Sequence, residues 1–419
     1  MILNFDILTV KGGEKILKQA SKGEKRILIP IMILSLVLIF NFGVSNVSAV
    51  SGDVIYVNGS GGNDSWDGLS ATWTSGTNGP KLTIKSATRA VNGGGTVNIA
   101  DGTYNGTNNT GIIINRDMNI IGQSQTGTII NGTGSSRIFK IQSGVTVTIQ
   151  NLTLTNGKAD NGGTIYNDGN LTVSNSRFTD NYAYIAGSAI YNHGTLAAVD
   201  SSFLNNNADG GFGDPAYNFA AGAIYNDGNL TVTNGYFTEN CAVYGHGAAI
   251  HNNGLLVVTD TYFIGNSVYG LGGAIYNDNT LIMANSNFIA NVAYAAGGAI
   301  YNIGTLAVTG SSFLSNVAYG ACYAPYISIA GGAIYNDYGG TYTVDSCQFA
   351  GNIPQDIYNN TEDSSDHGSG VITGSSSNHG ATVKAASKSM PLQKTGMPLY
   401  GFVSAILLVL GGSAVSKRR

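Results

Sequence analysis

The chain has 419 residues, formal net charge −4 and only 11% charged residues, with 59 Gly, 7 Pro, 3 Cys and 23 Tyr. That balance excludes collagen, a disulfide miniprotein, a Cys-based zinc ribbon and a basic nucleic-acid-binding face. A hydrophobic content of 43% is enough for a core, so the chain is not simply disordered.

The N-terminal 26 residues carry Lys11, Lys15, Lys18, Lys22, Lys25 and Arg26. The mostly apolar run Ile27 to Val44 follows, and then Val47-Ser48-Ala49. This positive, apolar, small-residue order predicts a secretory signal or an uncleaved anchor over residues 1–49. Residues 50–160 read as the opening coils of a β-domain. Strands are predicted at Val54–Val57, Thr96–Ile99, Ile112–Ile114, Asn119–Ile121, Thr128–Ile130, Ile138–Ile141 and Thr146–Leu154. A single helix is predicted from Lys81 to Val91, with Ile84, Ala87 and Val91 on one face, covering an open first coil.

Residues 161–360 repeat. Ile-Tyr-Asn begins at Ile165, Ile190, Ile224, Ile275, Ile300 and Ile334, and Ile250-His251-Asn252 fills the gap. Phe-x-x-Asn runs in step, from Phe178/Asn181 through Phe203/Asn206, Phe237/Asn240, Phe263/Asn266, Phe288/Asn291 and Phe313/Asn316 to Phe349/Asn352. The triplet intervals are 25, 34, 26, 25, 25 and 34 residues. Frequent Gly and short β-branched runs disfavour helical repeats, so each period is read as one coil of a parallel β-helix with three strand-like runs. The fold class predicted is therefore all-β: a right-handed parallel β-helix with a short N-terminal capping helix and flanking membrane segments.

Equivalent residues of successive coils then lie about 4.8 Å apart. Ile stacks on Ile and Phe on Phe, inward. Tyr166, Tyr191, Tyr225, Tyr276, Tyr301 and Tyr335 point outward and are predicted to form a flat binding stripe. The repeated Asn is expected at the turn as an amide ladder. Gly169, Gly194, Gly228, Gly254 and Gly304 follow it by two residues, with Asn279 in a sixth coil, and are read as positive-φ turn residues. The position between reads Asp168, His193, Asp227, Asn253, Asp278, Ile303, Asp337, and no two Asp are adjacent. Two carboxylates one strand spacing apart repel, so this series is read as selected against a stacked acidic ladder. The two 34-residue intervals place insertions at Ala208–Ala220 and Ala318–Ala330. Phe212, Tyr217 and Phe219, then Tyr319, Tyr323 and Tyr326, are candidate ligand contacts there.

Residues 361–390, rich in Ser and Gly, read as a flexible linker. Residues 391–419 hold Leu392-Gln393-Lys394-Thr395-Gly396, an apolar run from Met397 to Val415, and Lys417-Arg418-Arg419. The pentapeptide resembles a sortase sorting signal, with Gln393 where that signal has Pro. The resemblance implies a sortase-like transpeptidase as a partner and covalent transfer to the surface; a plain transmembrane anchor is the alternative.

Asp53-Val54-Ile55-Tyr56-Val57, Gly93-Gly94-Gly95-Thr96-Val97, Asp101-Gly102-Thr103-Tyr104 and Ile120-Ile121-Gly122 resemble the entry of pectate-lyase-like right-handed β-helices. The Gly-Gly-Ala-Ile and Phe-x-x-Asn marks look like the repeats of polymorphic outer-membrane proteins. With both terminal signals, the chain resembles the adhesin-like surface proteins of methanogenic archaea. The resemblance implies a non-enzymatic, envelope-tethered rod that binds carbohydrate or protein, with no cofactor, no metal and no nucleic acid. Homotypic contact through the Tyr stripe is a further option.

The alternative is a surface carbohydrate-active enzyme. No Lys or Arg occurs between Arg177 and Lys384, which leaves a polysaccharide lyase without its base in the regular coils. Hydrolysis by paired carboxylates needs two acids roughly 5–10 Å apart, and Asp168 with Asp227 is the pair considered. Asp209 and Asp214 are weak Ca²⁺ candidates. His193, His246 and His251 are expected to be separate solvated imidazoles. Cys322 and Cys347 are a candidate disulfide, and Cys241 a small buried hydrophobe. Sequons occur at Asn58, Asn63, Asn105, Asn108, Asn131, Asn151, Asn170, Asn229 and Asn359.

Overall fold

The computed structural model describes residues 53–210, 222–320 and 330–360, with two further strands at Gly370–Thr373 and Ser376–Ser377. Its strands form four parallel sheets of 12, 11, 10 and 7 strands; the regular turns add one strand to each sheet in succession, and the 7-stranded sheet runs only from Lys158–Asn161 to Val317–Ala318. This is a parallel β-solenoid. In one coil, Ile165–Asn167, Asn170–Ser174, Arg177–Thr179 and Tyr182–Ala186 lie on four successive sides.

Register is kept through every interval. Ile165 pairs with Ile190, Ile190 with Ile224, Ile224 with Ile250, and so on to Ile334, across 25-residue and 34-residue intervals alike. The interior holds these Ile, the Leu-x-Val residues of the longest sheet, and a column of Phe rings from Phe178 to Phe349 stacked at 4.6–5.0 Å. The helix α1 (Ile84–Ala90) is capped by Thr83, whose side chain accepts from the Ser86 N–H. Ile84, Ala87 and Val91 join the core.

Three sequence expectations need correction. Thr146–Leu154 is two strands, Thr146–Gln150 and Thr153–Thr155, because Asn151 turns left-handed at φ 57. The side formed by Tyr182–Ala186 and its equivalents was missed, since most of its strands are two residues long and show no alternation. The Asn of Ile-Tyr-Asn ends its strand and bonds the backbone of the turn and the next Asn as expected, and Asn167, Asn192, Asn226, Asn252, Asn277 and Asn302 are fully buried. Finally, none of Gly169, Gly194, Gly228, Gly254 and Gly304 has a positive φ. They are needed for close approach. A Cβ on Gly228 would lie 2.0 Å from the Gly194 carbonyl oxygen, and one on Gly254 would lie 2.0 Å from that of Gly228.

Asn279 takes this position in one coil. The Thr280 N–H reaches the Gly254 carbonyl at 3.3 Å and the Thr305 N–H reaches the Asn279 carbonyl at 2.6 Å, where the other coils from Thr195 to Thr341 make the same bond at 2.9–3.0 Å. The true left-handed positions flank the Phe strands. Asn151, Asn175, Asp200, Asn234, Asp260 and Asn285 lie in one such column, and Asn156, Asp180, Asn205 and Glu239 in the other. Asn and Asp tolerate this conformation because their short side chains bond locally.

Both terminal signals lie outside the described residues, as do the linker's remaining residues, Phe212, Tyr217, Phe219, Cys322, Tyr323 and Tyr326. Among the described residues, no helix is long and apolar enough to cross a membrane.

The close approach gives a test. Gly254→Ala is expected to destabilise the protein by about 2 kcal/mol or more, since the new methyl meets backbone rather than a movable side chain. Asn279→Gly is expected to raise the chemical-denaturation midpoint or leave it unchanged. A Gly254→Ala midpoint equal to wild type contradicts the packing described.

Candidate ligand-binding surface

The expected tyrosine stripe exists as a stack but not as a surface. Tyr166, Tyr191, Tyr225, His251, Tyr276, Tyr301, Tyr335 and Tyr358 run in one column with ring centroids 4.7–5.7 Å apart. Each ring leaves the sheet away from the Ile column, as strand alternation requires. The chain entering each triplet then folds across the rings. Ile185 and Ala186 pack on Tyr191 and Tyr225, and Leu271, Ala296 and Ala330 pack with Tyr276, Tyr301 and Tyr335. Tyr225 is 8% exposed, Tyr301 2% and Tyr335 1%. These tyrosines are a second, lateral core, in which Tyr166, Tyr191, Tyr276 and Tyr358 keep partial exposure.

Their hydroxyls are used internally. The Asn253 amide donates to the Tyr225 hydroxyl at 2.7 Å, and the Tyr301 hydroxyl donates to Asp337. Burial, with the nearby Asp227 for Tyr225 and Asp337 for Tyr301, pushes these phenols well above their ordinary range.

The histidines also differ from expectation. His246 and His251 lie within 6.5 Å of each other, ring to ring, and both stack on Tyr276. His251 fills a tyrosine position and is 4% exposed. His246 Nδ1 accepts the Leu271 N–H at 3.0 Å, which fixes the neutral Nε2-protonated form. Burial, then the neighbouring His251, pushes His246 down to about 3; burial pushes His251 down to about 4.

His193 is the most exposed of the three and is not solitary. Its Nε2 lies 3.0 Å from Asp227 and its Nδ1 3.6 Å from Asp168. The carboxylate pair considered for catalysis is therefore bridged by an imidazole, and Asp227 also receives Asn253 Nδ2 at 3.3 Å. Two of the three separators in the acidic series, His193 and Asn253, bond a neighbouring carboxylate, and the third, Ile303, is apolar. Amides bond carboxylates in the left-handed columns too, where Asn205 donates to Asp180 at 2.7 Å and Asn234 to Asp200 at 2.6 Å. Among the described residues, no group of three His, Cys, Asp or Glu is placed to hold a metal. Cys347 is buried and its thiol is pushed up to about 11, chiefly by burial; Cys241 is half-buried.

An open aromatic surface lies on the fourth side instead. The register Ala183, Ala208, Ala242, Val268, Ala293, Ala318 puts Tyr184, Asp209, Val243, Tyr269, Tyr294 and Tyr319 in one outward column. Tyr269 and Tyr294 stack at 4.7 Å, and Tyr319 lies 5.3 Å from Tyr294, tilted by 44°. Tyr184, Tyr269 and Tyr319 are 46%, 53% and 57% exposed. The sequence carried a signal for this column. Four coils read Phe-x-x-Asn-x-x-Tyr, with the Tyr at Tyr184, Tyr269, Tyr294 and Tyr319.

Residues 260–278 match the Chlamydia polymorphic membrane protein repeat, so the expected repeat type is present in this stretch. The chain is similar to a solved rhamnogalacturonan lyase at 12% identity and a TM-score of 0.46, covering 78% of this chain and 88% of that one. It is similar to the A-module of mannuronan C-5 epimerase AlgE4 from Azotobacter vinelandii at 12% identity and a TM-score of 0.33, covering 76% and 94%. A pectin methylesterase follows at 14% identity and a TM-score of 0.25, covering 73% and 80%. No curated protein matches the chain.

The buried histidine pair makes the fold acid-sensitive. Both imidazoles are neutral when folded and take protons near pH 6.5 when unfolded, so the unfolded state gains protons first as pH falls. Stability is full above about pH 6.5 and is lost progressively as the pH falls toward 4. By pH 5 the loss is on the order of a few kcal/mol. His251→Tyr continues the tyrosine column and is expected to remove about half of that loss. Thermal midpoints at pH 7 and pH 5 for both proteins measure it.

Proposed function

We propose that the chain is a non-enzymatic, surface-displayed adhesin-like rod that binds carbohydrate, with Tyr269, Tyr294 and Tyr319 as its platform. The observation that carries this reading is the spacing and exposure of those rings. Tyr269 and Tyr294 cover each other's faces, with Tyr319 tilted beside them, so the column turns ring edges and a row of hydroxyls outward. Such a row offers the hydroxyls and C–H groups of successive sugar units a repeated contact. In sequence Tyr319 is followed by the second insertion's Tyr323 and Tyr326, the further ligand contacts proposed.

The polymorphic membrane protein repeat supports display at a cell surface, with the N-terminal signal for export and residues 392–396 for attachment through a sortase-like enzyme or an anchor.

Tyr294→Ala is expected to weaken binding on a glycan array by at least about tenfold, as truncation of a central aromatic contact does. The unfolding midpoint is expected to stay near wild type, since the ring is only half-buried. Release of reducing ends from any bound glycan overturns the non-enzymatic reading. Unchanged binding in Tyr294→Ala overturns the platform.

A further inference from the structure

We propose that the outer corner formed by Ser135, Arg137, Lys158, Asp160 and Tyr184 is a binding site for an anionic saccharide. It is separate from the tyrosine platform and does not depend on it. The two share a column but are three coils apart, and this corner works through charge.

The first observation is where the cations are. Every Lys and Arg of residues 53–383 lies between Lys81 and Arg177, and 14 carboxylate residues follow before Lys384. Arg137, Lys140 and Lys158 occupy one flank of the early coils, with Arg137 and Lys140 both over the Tyr166 ring, at 5.2 and 5.1 Å. Among the described residues, the ion pairs are those of His193 with Asp168 and Asp227. Arg137, Lys140 and Lys158 therefore have no carboxylate at salt-bridge distance.

The second observation is how firmly two of these cations are held. The Lys158 ammonium sits 4.7 Å from the Tyr182 ring centre and 4.8 Å from that of Tyr184. Those rings meet edge to face, at 5.1 Å and 87°. The Tyr182 hydroxyl is tied to Asp209. Arg137 donates from Nε to the Gly162 carbonyl at 3.0 Å and from Nη2 to the Asn161 carbonyl at 2.6 Å. These bonds orient the guanidinium and leave Nη1 outside both. Cations placed by aromatic rings and carbonyls, rather than by carboxylates, keep their full charge for an incoming anion.

The third observation is the cavity. These side chains line an open groove of about 420 Å³, within the range of small-ligand sites. Tyr184 offers a ring face, while Asp160 and Ser135 offer an acceptor and a hydroxyl for sugar hydroxyls. One carboxylate or sulfate between Lys158 and Arg137, with its ring against Tyr184, uses every group in the groove. A neutral sugar leaves both cations without a counter-charge.

The test is calorimetric titration of the full chain with a tetrasaccharide of uronic acid units, its methyl ester, and a sulfated tetrasaccharide, in low and high salt. Binding of an acidic saccharide, weakening about tenfold in high salt, and no binding of the ester are expected. Binding of the sulfated but not the carboxylated sugar supports the proposal and identifies the anion. Lys158→Met preserves packing over the rings and is expected to cost at least about tenfold in affinity. Tyr184→Ala is expected to weaken binding as well, and Tyr294→Ala to leave it intact. Circular dichroism and thermal midpoints equal to wild type keep the variants interpretable. Equal binding of acid and ester, full binding by Lys158→Met, or no binding of any acidic saccharide overturns the proposal.

Discussion

The structure depends on one constraint: a buried amide must find its partners in the coils above and below. Asn167 donates to Asn192, Asn192 to Asn226, and so on to Asn359, at 2.6–2.8 Å. A second column, Asn181 to Asn352, does the same at 2.9–3.0 Å, and its Asn206–Asn352 amides also donate to Phe carbonyls of the preceding coil. An amide shifted by one residue loses these partners at once and pays the desolvation of a buried polar group. The inward Ile and Phe set the same frame, because a one-residue slip would turn them outward. The amides reinforce it. That is why the 34-residue intervals close in the same frame as the 25-residue ones.

The same stacking forces a solution for charge. Three edge columns carry acids: the one running Asp168 to Asp337, and the two left-handed columns flanking the Phe strands. In each, acids alternate with Asn, His or a neutral residue, and where a donor intervenes it bonds the carboxylate beside it. The rod tolerates a long stretch without Lys or Arg because amides replace cations as partners.

The coil period, the inward Ile and Phe, the helix near Ile84 and the alternating acids were all readable from residue spacing. Solvent access of Tyr225, Tyr301 and Tyr335 was not. Alternation gives the side of the sheet on which a ring lies, whereas the chain that folds over it comes from the irregular segment before each triplet, which has no period to read. The Gly column shows the same limit. Its identity was plain, but the reason for Gly is a carbonyl of the neighbouring coil, a contact between residues about 25 positions apart. The Phe-x-x-Asn-x-x-Tyr spacing shows the reverse case, a legible pattern whose third mark only gains meaning once the fourth side of the coil is seen.

The strands run across the axis of the solenoid, so every inter-coil hydrogen bond lies along it. Tension applied between the two ends therefore does not shear a whole sheet. It loads the bonds of the terminal coil first, and the chain peels away one turn at a time. Each regular turn holds 25 residues and releases a contour length of about 85 Å when extended. A molecule built this way responds to pulling as a spool, giving up length in steps while the remaining coils keep their structure.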